Sequence, residues 1–337
     1  LKAQLRHIYR QFFEARALVL MYHRIAEPSS DVWDIAVSTA NFEAHLQWLK
    51  KLGKVMPLPE LISGAKSGKL RHGSIAITFD DGYADNFLVA KPLLEQYSLP
   101  ATFFVATGNI GKAKEFWWDE LEELILYGTL LPALADFNFC GQTIKRGLGE
   151  EARLHDGLVQ KHQLWNACLE TPVTERCMLF LELWQAIKPL PVASQLQCMQ
   201  EIRTWAGASA SARADIISMS VSQLSALAQN PRFEIGAHTV SHPALAYHSM
   251  EVQKQEISQN IAELRTYTGR EIQLLAYPYG NYNYQTERVA EEIGLFAALT
   301  TEEHAISKRS PVYRLGRFQV ADWPQEVFAG KLKQWSH

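Results

Sequence analysis

Ile75-Ala76-Ile77-Thr78-Phe79-Asp80-Asp81-Gly82 reads as a short apolar strand that stops on two adjacent carboxylates and a glycine turn. In α/β folds, strand C-termini are where sites are built. Neighbouring side chains leave a strand on opposite sides, so Asp80 and Asp81 cannot easily do the same job. One carboxylate suits a metal and the other a proton. The competing reading is a solvated Asp-Asp-Gly turn, which is common, and the flanking chain has to decide. Upstream, residues 17–22 form another strand-length apolar run. A loop rich in Pro, Ser and Asp follows, then a helical pattern from about Asn41 to Leu52 with Phe42, Leu46 and Leu49 on one face and Gly53 at its end. Downstream, a helical pattern from Asp85 to Tyr97 leads to a strand at Ala101–Val105.

The β/α alternation resumes after residue 230. Strands are predicted at Phe233–Ile235, Leu274–Tyr277, Phe296–Thr300 and Arg317–Val320, and helices at Met250–Tyr267, with Ile257, Ile261 and Leu264 on one face, and at Gln285–Ile293. Short strands separated by helices imply a parallel sheet or a closed barrel. Residues 112–230 differ: they show helical spacings such as Leu179, Leu183 and Ile187, few β-branched runs, and all of Cys140, Cys168, Cys177 and Cys198. The expected organisation is a discontinuous barrel over 1–111 and 231–337 with a mainly helical insertion at 112–230. A further barrel strand or two around Phe137 to Ile144 is the alternative.

The composition of the 337 residues, 47% hydrophobic and 20% charged, is that of a globular protein and excludes a disordered chain or a coiled coil. A formal net charge of −3 leaves no whole-chain basic balance for nucleic acid. No apolar run approaches the roughly 18 residues that span a bilayer. Leu1–Arg16 carries Lys2, Arg6, Arg10 and Arg16 but no apolar leader core, so a cytoplasmic location without an integral membrane segment is expected. The cysteine spacings match no zinc motif, and buried free thiols are expected.

Two further segments follow predicted strands. Gly236-Ala-His238-Thr-Val-Ser-His242-Pro243 places two histidines four apart, a spacing that reaches one metal from a single helical turn. Alone the pattern is weak, but in a parallel barrel it would share a rim with Asp80 and Asp81. Two His and one carboxylate with a position left for water is a catalytic metal arrangement. The third segment, Ala276-Tyr277-Pro278-Tyr279-Gly280-Asn281-Tyr282, reads equally as a turn with stacked aromatics.

In this order the three segments resemble the NodB-like polysaccharide deacetylases, carbohydrate esterase family four, over roughly residues 17–111 and 231–321. The resemblance implies a distorted (β/α)7-type barrel and hydrolysis of an N-acetyl group on a saccharide. It implies Asp80 as general base, Asp81, His238 and His242 as ligands of one divalent metal, and the backbone N–H of Tyr279 as an oxyanion donor. Zinc is the first expectation, and Co²⁺, Ni²⁺ or Fe²⁺ suit the same donors. The chain departs from the pattern twice. Ala276 stands where the family carries an Arg, and no Leu-x-His that would supply the acid is found near the C-terminus. His23, ending the first strand, is the candidate acid, and Arg317 the candidate to orient Asp80; a structural His and a solvated Arg are the alternatives. Trp33, Trp117, Trp118, Tyr279 and Tyr282 are candidates to stack on sugar faces, with Asp119 and Pro278 beside them. An O-acetyl esterase on the same scaffold and a sugar-binding module without turnover are the rival functions, and oligomeric state is not readable.

Overall fold

The computed structural model describes residues 15–209 and 212–336, so all but the last two residues of the Leu1–Arg16 segment lie outside the described residues. The strands are β1 (Ala17–Tyr22), β2 (Arg24–Ile25), β3 (Ala36–Val37), β4 (Ser74–Phe79), β5 (Ala101–Val105), β6 (Leu134–Phe139), β7 (Gln142–Gly147), β8 (Phe233–Ala237), β9 (Leu274–Ala276), β10 (Ala297–Leu299) and β11 (Phe318–Gln319). Seven of them form one parallel sheet in the order β10-β9-β8-β5-β4-β1-β11. The sheet curls into a distorted barrel. Residues 312–315 run along β10, with Ala298 N–H donating to Val312 O and Leu315 N–H to Ala298 O. A few residues on, Val320 N–H bonds to Met21 O beside β1, so one stretch of chain spans the gap between first and last strands.

Both faces of the sheet are covered, which is why β1, β4 and β5 are buried at every position. Alternate residues go to different layers. Leu18, Leu20, Ile75, Ile77 and Phe103 pack outward against Phe42, Leu46, Leu94, Ile257 and Val289 of the surrounding helices. Ala17, Val19, Ala76, Phe104, Ala276 and Ala297 pack in the other layer, the barrel interior, which helix Leu58–Ser67 closes with Leu58, Leu61 and Ile62. Small residues fit that narrow interior around one large ring: a Cβ on Gly236 would meet Phe104 at 2.4 Å. The helix expected over Asp85–Tyr97 is instead a π-turn at Asn86–Ala90 running into an α-helix at Lys91–Gln96. Pro92 has no N–H to return to the preceding turn, and Lys91 N–H bonds back to Asn86 O.

Between β5 and β8 the chain builds a second core from Leu121, Ile125, Phe137, Ile144, Leu179, Phe180, Leu183 and Met199. Phe137 and Ile144 face each other across the antiparallel β6–β7 hairpin, which is a separate two-stranded sheet and adds nothing to the barrel. Helix Val221–Ala228, which the sequence reading places in the 112–230 insertion, instead buries Leu224, Leu227 and Ala228 in the barrel's outer layer. Cys177 and Cys198 are buried free thiols as expected, but Cys140, on the hairpin turn, and Cys168 are exposed. No helix among the described residues is long and apolar enough to cross a membrane.

Candidate active site

The parity of β4 decides where its carboxylates go. Ala76 and Thr78 face the barrel interior, and Asp80, two residues on, continues that row at the strand's C-terminal end. There Arg317 reaches it through the interior with two parallel bonds, Nη1 to Oδ1 and Nη2 to Oδ2, both 2.7 Å. Arg317 is itself held by Nε donating to Thr300 O at 2.9 Å and by the Phe104 ring 5.6 Å below its guanidinium. Burial pushes the Asp80 carboxyl up, but the Arg317 charge and hydrogen bonds, together with the nearby His238 and His23, outweigh it and hold the group below the ordinary carboxylate range.

Asp81 leaves the strand with φ 71°. The turn depends on Gly82, at φ 85°, where any Cβ would sit 2.8 Å from Val105 Cγ1. Asp81 Oδ1 lies 3.3 Å from His238 Nε2 and 3.2 Å from His242 Nε2. The two histidines are carried by a loop and not a helical turn: Thr239 and His242 both have positive φ, at 66° and 58°. His238 Nδ1 is 2.7 Å from Ala276 O, a partner that can only accept, so Nδ1 carries the proton and Nε2 turns a lone pair toward Asp81. Asp81 Oδ1 is buried with no hydrogen-bond donor among the described residues. Electron pairs facing one another across such spacings call for a cation between them. The ligand atoms lie within 4.8 Å of one another, and the near pairs match the edge of about 3.3 Å expected for tetrahedral coordination at roughly 2.0–2.1 Å. The residues present therefore fit a divalent metal.

Beside this group is a cavity of about 290 Å³ whose wall includes Asp80, His23, Trp33, Trp118, Tyr279 and Trp184. His23, just past β1, places on that wall a buried Nδ1 with no hydrogen-bond partner among the described residues. Tyr279, at φ 58°, sets its ring 4.4 Å from His242 and 5.8 Å from Trp118. Trp33 packs against Trp184, with ring centroids 4.6 Å apart and planes tilted by 37°. Trp117 instead lines a neighbouring groove with Lys114 and Leu196. Asp119 does not reach the cavity: it is buried, and its Oδ2 accepts from Tyr83 Oη at 2.9 Å, because the helix Trp117–Glu122 turns it inward behind Trp118. Pro278 is buried at the start of the turn, and Tyr282 stacks on Tyr277 and donates to Glu302, so neither lines the cavity. Trp184, Lys188 and Cys168 of the insertion do line it, and no local pattern in the sequence singles them out.

The polysaccharide deacetylase family model matches residues 67–130 and 204–298, leaving most of the insertion unmatched. Over 115 residues the chain is 32% identical to a poly-β-1,6-N-acetyl-D-glucosamine N-deacetylase of Staphylococcus aureus, an alignment covering 30% of this chain and 40% of that one. The chain matches about two fifths of the length of such curated relatives. Among solved structures, IcaB from Ammonifex degensii superposes with a TM-score of 0.56 at 16% identity, covering 96% of this chain and 97% of that one. The Streptococcus pyogenes deacetylase PplD in complex with acetate superposes at 0.54 and 19% identity over 95% and 99%. Identities this low establish the fold, and the local sequence match carries the motifs.

Proposed function

We propose, from a chain that is related in sequence to the polysaccharide deacetylases and NodB-like in fold, that it hydrolyses an N-acetyl group on a saccharide with one divalent metal ion, zinc first. The observation that carries this reading is the pairing, at one barrel rim, of an ionised carboxylate locked by Arg317 with a separate Asp81-His238-His242 group. Those three residues would hold the ion, which when bound lowers the pKa of a water and polarises the acetyl carbonyl. Asp80 takes the proton from the attacking water, and Arg317 keeps it ionised and aimed. As the carbonyl oxygen gains charge, the Tyr279 N–H is the donor nearest in role to an oxyanion hole. His23 gives a proton to the nitrogen as the C–N bond breaks, leaving acetate and a free amine. Its buried, unpaired Nδ1 on the cavity wall supports that assignment.

The test is acetate release from N-acetylated oligosaccharides, run beside O-acetylated ones, with metal content measured on the same samples. Asp80→Asn should keep the metal and lose on the order of 100-fold or more in kcat, while His238→Ala should lose the metal. Activity retained in both variants would sink the mechanism. Acetate from the esters alone would reassign the bond to a C–O ester.

A further inference from the structure

Lys188 closes helix Glu175–Ile187: its N–H bonds to Trp184 O, and Pro189 follows. Its partly buried side chain forms part of the cavity wall. The ammonium lies 4.5 Å from the ring centroids of both Trp184 and Tyr279. These contacts hold the cation in place but leave its N–H donors without a hydrogen-bond acceptor among the described residues. Burial pushes its pKa down, and no carboxylate among the described residues offsets this. The carboxylates on the wall are Asp80, paired with Arg317, and Asp81, which faces the metal position, while the histidines there, His23, His238 and His242, can add no negative charge. With a divalent ion in place the cavity would be net positive, and a partly desolvated ammonium without a counter-ion favours an anion beside it.

We propose that Lys188, beside the Trp33–Trp184 wall, is a subsite for an anionic substituent, carboxylate or phosphate, on the saccharide being deacetylated. The inference rests on the deacetylase reading for its substrate. The Tyr279 ring touches both groups, its centroid 4.5 Å from the ammonium and 4.4 Å from the His242 ring centroid. Both groups therefore lie within reach of one short stretch of substrate, so the charge sits on the reacting residue or its immediate neighbour.

The experiment is calorimetric titration of the metal-loaded full chain with gluco-oligosaccharides that lack the amide and cannot turn over: neutral, 6-phosphorylated and 6-carboxylated. Wild type should bind one or both charged forms about tenfold or more tightly than the neutral form, and the ratio of the two charged forms identifies the substituent. In Lys188→Met the preference should fall toward one. Lys188→Arg should keep it, with unfolding midpoints confirming that both variants fold. Equal binding of all three probes by wild type overturns the proposal. So does a preference that survives Lys188→Met, which would put the anion on the metal. Acetate release without a Lys188-dependent preference removes this inference alone, whereas Lys188-dependent anion binding by a chain that releases no acetate removes the deacetylase reading alone.

Discussion

Arg317 meets Asp80 with both arms of its guanidinium inside the barrel, so the charge and its orientation are supplied together. Lysine would keep a positive charge but not the fork. Arg317→Lys is therefore expected to raise the Asp80 pKa and move the acid limb of the kcat/KM profile toward neutral pH. Arg317→Met, leaving a buried carboxylate unpaired, should cost about 3–5 kcal/mol of stability or force Asp80 to take up a proton. A pH–rate profile for Arg317→Lys that overlays wild type would show that Arg317 does not tune Asp80. Residue-level reading of the chain reached this pair only as a candidate, since 237 residues separate the partners.

Helix Met250–Thr268 presents Ile257, Ile261 and Leu264 to the barrel, a face its spacing makes legible. Within that face sits Asn260, which the apolar pattern passes over. Its Nδ2 donates to Val105 O at 3.0 Å and Thr107 Oγ1 at 3.1 Å, and its Oδ1 accepts from the His238 N–H at 3.0 Å. The helix thereby ties β5 to the strand end that carries His238. Asn260→Leu fills the space but strands these buried groups, at a cost of about 2–4 kcal/mol. It should also loosen the His238 ring, weakening metal affinity by roughly 10–100-fold. Urea midpoints and a competition titration with a metal chelator measure the two effects. Unchanged metal affinity in a destabilised variant would confine Asn260 to holding the fold.

Across the whole molecule, the insertion's core and the barrel meet where carboxylates are buried. Burial pushes the Glu122 carboxyl from 4.5 up to about 7. An acid whose pKa rises on folding holds its proton more tightly in the folded chain. Its contribution is therefore favourable below the unfolded value and is lost as pH rises through the folded one. Between pH 4 and 8 the loss is roughly 3 kcal/mol. Glu122→Gln keeps the shape without the titration, so its stability relative to wild type should improve by about that amount over the same range. Denaturant unfolding at pH 4, 6 and 8 reads the difference directly, and a gap that stays constant with pH would rule out Glu122 as its source.

Periodicity and covalent neighbourhood were enough to read the strand ends at Asp80-Asp81 and His238, the β/α order, and the mainly helical character of the chain's middle, because those signals are local. The tertiary structure decided the rest. It set Arg317 through the barrel onto Asp80, put the histidine pair on a left-handed loop in place of a helical turn, turned Asp119 inward to Tyr83, and brought Trp184 and Lys188 to the cavity wall. Each of these depends on which faces of distant elements pack together, and no spacing along the chain records that.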